Sequence, residues 1–263
     1  MDLQLKGKSV LVSAGSKGLG KATAMEFARE GAHVLIASRN EEQLIQAVTE
    51  ISKETKNDHV NYCICDITDA AQIDYLVEYA VKTFGTVDVL INNAGGPPAG
   101  RFEDMRDEDW QNAFELNLLS FVRLTRKVIP YMQKQQSGRI INFASSSIKE
   151  PLDNLILSNT FRAGIVGLAK SLSQELAEYQ ILVNTIGPGR IATDRLTQLD
   201  EIRSNQLGIA YEEHVQNTEQ KIPLQRYGTP EEFAKMVVFL GSGANTYITG
   251  QSLLIDGGKV KAL

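Results

Sequence analysis

The sequence predicts an α/β fold: a doubly wound sheet of about seven mainly parallel strands with helices on both faces. Three observations carry this. Short apolar runs alternate with helical stretches almost to the end of the chain. That alternation implies βαβ units, whose right-handed crossovers place helices on both faces of a parallel sheet. A glycine-rich turn separates the first apolar run from the first helical stretch. Hydrophobic residues fill 43% of the 263 positions, enough for the core of one large sheet.

Residues 8–13 read as a buried strand, followed by a helix over about 18–29 with Gly31 as its stop. Residues 33–38 give a second strand. Asn40 is a good cap for the next helix, whose first turn holds Glu41 and Glu42, where the helix dipole favours negative charge. A third strand is expected at 60–65, a helix at about 69–84 and a fourth strand at 87–92. One long helix is expected over about 107–134, then a strand at about 139–144, a helix at about 158–179 and a strand at 181–186. Residues from about 190 to 228 mix Gly, Pro and charge with spaced apolar positions such as Leu196, Leu199, Ile202 and Leu207. They read as a helical insertion. A helix from 230 to about 240 and a strand at 252–255 close what is read as a single domain over 1–263.

Composition excludes several classes. Net charge is −5 and the 27 basic residues are scattered, so no nucleic-acid partner is expected. No apolar run approaches the ~18 residues of a membrane helix, and the first residues lack a basic segment followed by an apolar one. A cytoplasmic protein with no membrane partner is the expectation. Cys63 and Cys65, at i and i+2 in an apolar stretch, read as buried strand residues, and two thiolates do not close a zinc site. His33, His59 and His214 have no partner spacing that suggests a metal or a triad. No metal is expected.

In open sheets of this kind ligands sit beyond the C-terminal ends of the strands, and the motifs fall there. The turn is Ser13-Ala14-Gly15-Ser16-Lys17-Gly18-Leu19-Gly20. A glycine turn that follows a strand and opens a helix lets the backbone approach a pyrophosphate, while the helix N-terminus offers free N–H groups. Its spacing resembles the T-G-x-x-x-G-x-G of the short-chain dehydrogenase/reductase family, with Ser13 for the threonine and Ala14 for the first glycine. Cys65-Asp66-Ile67, Asn92-Asn93-Ala94-Gly95, Leu116-Asn117-Leu118 and Pro188-Gly189 resemble further family segments, in order, through Asp256-Gly257-Gly258. The resemblance implies a Rossmann-type dinucleotide-binding domain. It places Asp66 and Ile67 beside the adenine, with Asp66 equally placed to cap the helix near Asp69. It places Asn93, Ala94 and Gly95 along the ribose, and Pro188, Gly189 and Ile191 towards the nicotinamide.

Cofactor choice is read at the end of the second strand. An NAD site carries Asp or Glu about 20 residues after the glycines. Here the segment is Ala37-Ser38-Arg39-Asn40, with no acid before Glu41. Arg39, with Lys17 in the turn, suits a 2′-phosphate through charge-assisted bonds. NADP(H) is expected in preference to NAD(H).

The family's catalytic set is Asn, Ser, Tyr and Lys. The resemblance assigns Asn117 to the first, and Ser145, at the end of residues 138–145, to the second; Ser146 and Ser147 follow, so that assignment can slip. The stretch Ala163-Gly164-Ile165-Val166-Gly167-Leu168-Ala169-Lys170 fixes the rest, placing Ser158 at the tyrosine position and Arg162 at the lysine position, at i and i+4 on one helix face. An aliphatic hydroxyl is a far weaker acid than a phenol, and a guanidinium effectively never gives up its proton. Arg162 retains positive charge and reach to ribose hydroxyls. Lys149 and Ser145 to Ser147 are the nearest replacement donors.

These readings imply an NADP-dependent oxidoreductase interconverting a small-molecule carbonyl compound and an alcohol by hydride transfer, with a non-standard proton donor. The alternatives are an inactive cofactor-binding or regulatory protein, and a non-redox lyase on the same scaffold. By the resemblance the insertion covers the substrate, and the chain pairs into a homodimer or homotetramer.

Overall fold

The computed structural model describes residues 1–262. Seven parallel strands form one sheet: β1 (Ser9–Ser13), β2 (His33–Ser38), β3 (Val60–Ile64), β4 (Val89–Asn92), β5 (Gly138–Phe143), β6 (Ile181–Pro188) and β7 (Ser252–Ile255), in the order β3-β2-β1-β4-β5-β6-β7. The chain winds outward from β1 to β3, returns to β4, and winds the other way to β7. The switch point lies between β1 and β4, which is where such sheets open a ligand crevice.

Helices cover both faces: α1 (Gly18–Arg29), α2 (Glu41–Thr55), α3 (Ala70–Phe84), α4 (Asp107–Phe114), α5 (Ser120–Lys134), α6 (Ile156–Glu175), α7 (Asp194–Leu207), α8 (Tyr211–Glu219) and α9 (Pro230–Leu240). Val10 and Val12 of β1 pack in one core with Phe27 of α1, Leu44 of α2 and Phe233 of α9. Leu11, on the opposite face, packs with Leu76 of α3, Leu124 of α5 and Ile165 of α6. All three β1 residues are fully buried, which explains why the strand reads as a continuous apolar run and not as an alternation. Asn40 caps α2 as expected: its Oδ1 accepts from the Gln43 N–H at 2.9 Å.

The expected long helix over 107–134 is broken. Between α4 and α5, residues Glu115–Leu119 form a π-helical turn. Asn117 sits at its centre, fully buried, and its Nδ2 donates to the Gly95 carbonyl at 2.7 Å. A π turn widens the helix by one residue, here swinging an amide out to satisfy a main-chain acceptor. The helix expected over 158–179 is α6, which starts two residues earlier and gives way after Glu175, with a 3₁₀ turn at Ala177–Tyr179. The strand expected at 181–186 runs on to Pro188 and pairs with β7 there. The insertion is the helix pair α7 and α8, with Thr193 capping α7 through the Leu196 N–H. Among the described residues no helix is long and apolar enough to cross a membrane.

Candidate active site

The glycine turn leaves β1 at the switch point. Ser13 is fully buried, and its Oγ donates to the Asn93 carbonyl at 2.7 Å and accepts from the Asn93 N–H at 2.8 Å. Asn93 Nδ2 donates to the Ala14 carbonyl at 3.1 Å. Both side chains therefore bolt the end of β1 to the end of β4. At Ala14 φ is +47°, a left-handed conformation that costs a Cβ-bearing residue roughly 1–2 kcal/mol. Gly20 cannot carry a side chain, because a Cβ there would lie 2.3 Å from the Ala14 carbonyl oxygen. The turn and the first helical turn are pressed closely together there. Ser16, Lys17 and Gly18 line a polar cavity of about 310 Å³ with Lys21, Gln43, Gln46, Ala47 and Asp194. The start of α7 approaches the same turn, with Thr193 Cγ2 3.7 Å from a Cβ built on Gly18.

At the end of β2, Ser38 Oγ is buried with no hydrogen-bond partner, and Arg39 is exposed without an ion pair among the described residues. Ile67 is buried. Asp66 Oδ1 accepts from the Thr68 N–H at 3.0 Å and from its hydroxyl at 2.8 Å, while the cap of α3 is Asp69. At the end of β6, the Gly189 N–H donates to the Ile255 carbonyl at 2.8 Å, Pro188 is half-buried, and Ile191 turns its side chain into the core.

The catalytic candidates gather at the ends of β4 and β5. Ser145 follows β5 and caps a 3₁₀ turn at Ser146–Ile148, its Oγ accepting from the Ser147 N–H at 3.1 Å. Ser147 is buried and its Oγ has no partner. Lys149 is exposed at the end of that turn. Ser158 and Arg162 stand one turn apart on α6, and the neighbouring Asn159 pins the helix to Leu152 through both its N–H and C=O, at 3.2 and 2.9 Å. Arg162 is only 5% exposed. Its Nη1 donates to the Phe143 carbonyl at 2.7 Å and its Nη2 reaches the Ala94 carbonyl at 3.4 Å, but its Nε has no partner. Burial lowers its pKa to about 10, so it stays cationic at neutral pH. Asn117 completes the group, with Oδ1 unpartnered beside the Gly95 carbonyl that holds its Nδ2. Asn117, Arg162, Ala94 and Gly95 are thus joined in one hydrogen-bonded patch.

A feature the motif reading missed lies under the insertion. Asp200 on α7 is 1% exposed, and its carboxylate meets Arg190 Nη1 at 2.6 Å, the Tyr227 hydroxyl at 2.8 Å and His214 Nε2 at 3.2 Å. Burial and the hydrogen bond to Asp200 raise the Tyr227 pKa well above its usual value. The available signal was an acid at i+4 from Leu196 and i−4 from Ser204, the buried stripe of α7.

The sequence family described as Enoyl-(Acyl carrier protein) reductase matches residues 13–259. The chain belongs to the short-chain dehydrogenase/reductase family. It is 36% identical over 260 residues to a 3-oxoacyl-(acyl-carrier-protein) reductase of Thermotoga maritima, covering 98% of this chain and all of the relative. Among solved structures it is similar to L-sorbose reductase of Gluconobacter frateurii complexed with NADPH and L-sorbose, with a TM-score of 0.94, 31% identity and full coverage of both chains. It is also similar to a 7α-hydroxysteroid dehydrogenase complexed with NADH and a 7-oxo bile acid, with a TM-score of 0.89, 32% identity, and coverage of 100% of this chain and 98% of the other. The family is one of NAD(P)-dependent oxidoreductases acting on carbonyl/alcohol pairs.

Proposed function

We propose that this chain is an NADP(H)-dependent oxidoreductase that interconverts a carbonyl compound and an alcohol, with a proton donor other than a tyrosine. The observation that carries the reading is Arg162: a buried guanidinium with no carboxylate partner and a free Nε, at the ends of β4 and β5. An uncompensated buried cation is costly, and such groups persist where a ligand or a reaction uses them.

The residues fit the cofactor. The turn from Ser13 to Gly20 opens a helix whose free N–H groups suit a pyrophosphate, with Gly15 packed tightly against Ile36 of β2 and Gly18 leaving the approach clear. Ser38 Oγ, Arg39 and Lys17 supply a donor and two cations without competing partners, which suits a 2′-phosphate. By the family resemblance Asn93, Ala94, Gly95 and the backbone from Pro188 to Ile191 are assigned to the ribose and nicotinamide, and Asp66 and Ile67 to the adenine, with the Ile191 side chain itself in the core. Arg162 Nε and Asn117 Oδ1 are the donor and acceptor available to ribose hydroxyls and water.

When bound, the nicotinamide supplies or accepts the hydride. Ser145 donates its hydroxyl to the substrate carbonyl oxygen and stabilises charge developing there. Arg162, fixed by the Phe143 carbonyl, keeps its positive charge and loses no proton at neutral pH. Ser158 is shorter than a phenol and reaches that oxygen through a water, so the proton comes from solvent relayed past Ser158 and Asn117. The insertion, with α7 tied to the loop after β4 by Arg195 Nη2 donating to the Pro97 carbonyl at 3.2 Å, covers the substrate. The neighbouring rings of Trp110, Phe114 and Phe161 along α4 and α6 suit pairing of two copies.

The test is carbonyl-dependent consumption of NADPH over a panel of ketones and aldehydes. Ser145→Ala is expected to lower turnover about 10²–10³-fold, as loss of one oxyanion donor does. Ser158→Tyr combined with Arg162→Lys is expected to raise activity on simple ketones. No consumption with any carbonyl compound would leave a cofactor-binding protein without turnover.

A further inference from the structure

The start of α7 crosses the switch-point crevice. On the β1 side, Thr193 Cγ2 lies 3.7 Å from a Cβ built on Gly18, and Asp194 shares the polar cavity of Ser16, Lys17 and Gly18. On the β4 side, Arg195 Nη2 donates to the Pro97 carbonyl at 3.2 Å. The Arg195 guanidinium lies against Gly96, with Nη2, Nε and Cζ 3.5, 3.7 and 4.0 Å from a Cβ built there. Gly96 directly follows Ala94 and Gly95, whose carbonyls hold Arg162 and Asn117. Thr193, Asp194 and Arg195 therefore run from the glycine turn to the edge of the catalytic patch, across the ends of the paired strands β1 and β4.

The two sides of α7 are held differently. Its anchors lie towards β6. The Ala192 N–H donates to the Gly228 carbonyl at 2.9 Å, and the Gly228 N–H donates to the Arg190 carbonyl at 2.9 Å. Asp200, in the middle of α7, is 1% exposed and meets Arg190 at 2.6 Å, the Tyr227 hydroxyl at 2.8 Å and His214 at 3.2 Å. These partners come from the segment after β6, the segment before α9 and the insertion itself. Towards β4, the bond from Arg195 to Pro97 is the one hydrogen bond that α7 makes among the described residues. Arg195 is exposed and makes no ion pair among the described residues, so the bond joins a hydrated cation to a neutral carbonyl. Such a bond holds a segment in place and still breaks readily. The insertion is hinged at β6 and latched at β4.

We propose that Arg195 is the latch of a strap over the dinucleotide crevice, a positioning residue that sets how fast the nucleotide enters and leaves. The inference rests on the dinucleotide-binding reading and adds the step that controls exchange. A nucleotide lying from the glycine turn to the catalytic patch passes beneath Thr193 to Arg195 and is trapped while the latch is shut. A crevice that is open for only a fraction of the time fills more slowly by that fraction. Breaking the latch therefore speeds entry and release together and leaves the affinity close to its original value.

Stopped-flow measurement of NADPH binding to and release from the full chain, joined to hydrogen exchange of the free protein, tests it. In Arg195→Met both rate constants are expected to rise about tenfold, the worth of one charge-assisted hydrogen bond, with the dissociation constant changed by less than about threefold. Arg195→Lys retains a cationic donor and is expected to fall between wild type and Arg195→Met. In free Arg195→Met, hydrogen exchange in the first turn of α7 is expected to rise about tenfold, with α8 and the sheet unchanged. Unchanged rates, or unchanged exchange in that turn, would overturn the proposal. So would faster release with unchanged entry, which would make Arg195 a direct contact of the nucleotide. The exchange measurement needs no nucleotide, so it tests the latch even where wild type fails to bind NADPH, an outcome that strikes the dinucleotide reading instead.

Discussion

Arg162 Nη1 donates to the Phe143 main-chain oxygen at 2.7 Å, and no carboxylate lies within ion-pair reach of that guanidinium among the described residues. The bond ties α6 to the end of β5, two residues before Ser145, and fixes a positive charge there. Its cost and its use separate on substitution. Arg162→Met removes a desolvated charge worth several kcal/mol of penalty, but leaves two carbonyls short of a donor at about 1–3 kcal/mol each. Stability in urea is therefore expected to change by no more than about 2 kcal/mol, while NADPH affinity falls about ten- to a hundredfold. A large loss of stability with unchanged affinity would make Arg162 a structural residue only.

The pH dependence carries a sign. The folded pKa of Arg162, about 10, lies below its ordinary value of 12.5 because burial disfavours the charged form. The cost of burying the charge is present below the folded pKa and is relieved as pH rises above it, so this group's contribution to stability improves in that window. Cofactor affinity moves the other way, holding through neutral pH and falling as pH rises through about 10. The measurement is NADPH affinity against pH for wild type and Arg162→Met; the gap between them closes above about pH 10.

Ala14 and Gly20 give opposite outcomes within one turn. Ala14→Gly relieves a positive φ at the cost of a more flexible unfolded chain, with an expected net gain of about 0.5–1 kcal/mol. Gly20→Ala forces a Cβ to within 2.3 Å of the Ala14 carbonyl oxygen, and is expected to disrupt the turn and abolish cofactor binding. Thermal unfolding and NADPH titration of both variants check this.

Asp200→Ala strands Arg190 and removes the acceptor shared by Tyr227 and His214. Breaking a buried pair by removing one partner costs about 3–5 kcal/mol. The loss is expected to be local, as faster hydrogen exchange across α7 and α8 with the sheet unchanged. Uniform exchange throughout would show that the insertion is not a separately anchored unit.

The sheet was legible because β1, β2 and β4 are continuous apolar runs, and because the Asn40 cap obeys local chemistry that tertiary contacts did not override. The π turn at Asn117 was not, since it answers a long-range demand from the Gly95 carbonyl. That Ser145 lies just beyond β5 and that Ser158 and Arg162 stand one turn apart on α6 agrees with where the family resemblance placed them. That Arg162 would be buried without a counter-ion was not legible, because nothing near it in sequence signals which carbonyls it meets. The Asp200 cluster was hidden for a similar reason: its partners come from separate segments, at residues 190, 214 and 227.

Titration of the full chain with NADPH and NADH, followed by Trp110 fluorescence and thermal stability, tests the central claim most directly. NADPH is expected to bind at least about tenfold tighter than NADH, with the advantage lost in Arg39→Ala, because a charge-assisted contact to the 2′-phosphate is removed. Binding of neither nucleotide, or equal affinity for both in wild type, would contradict the account.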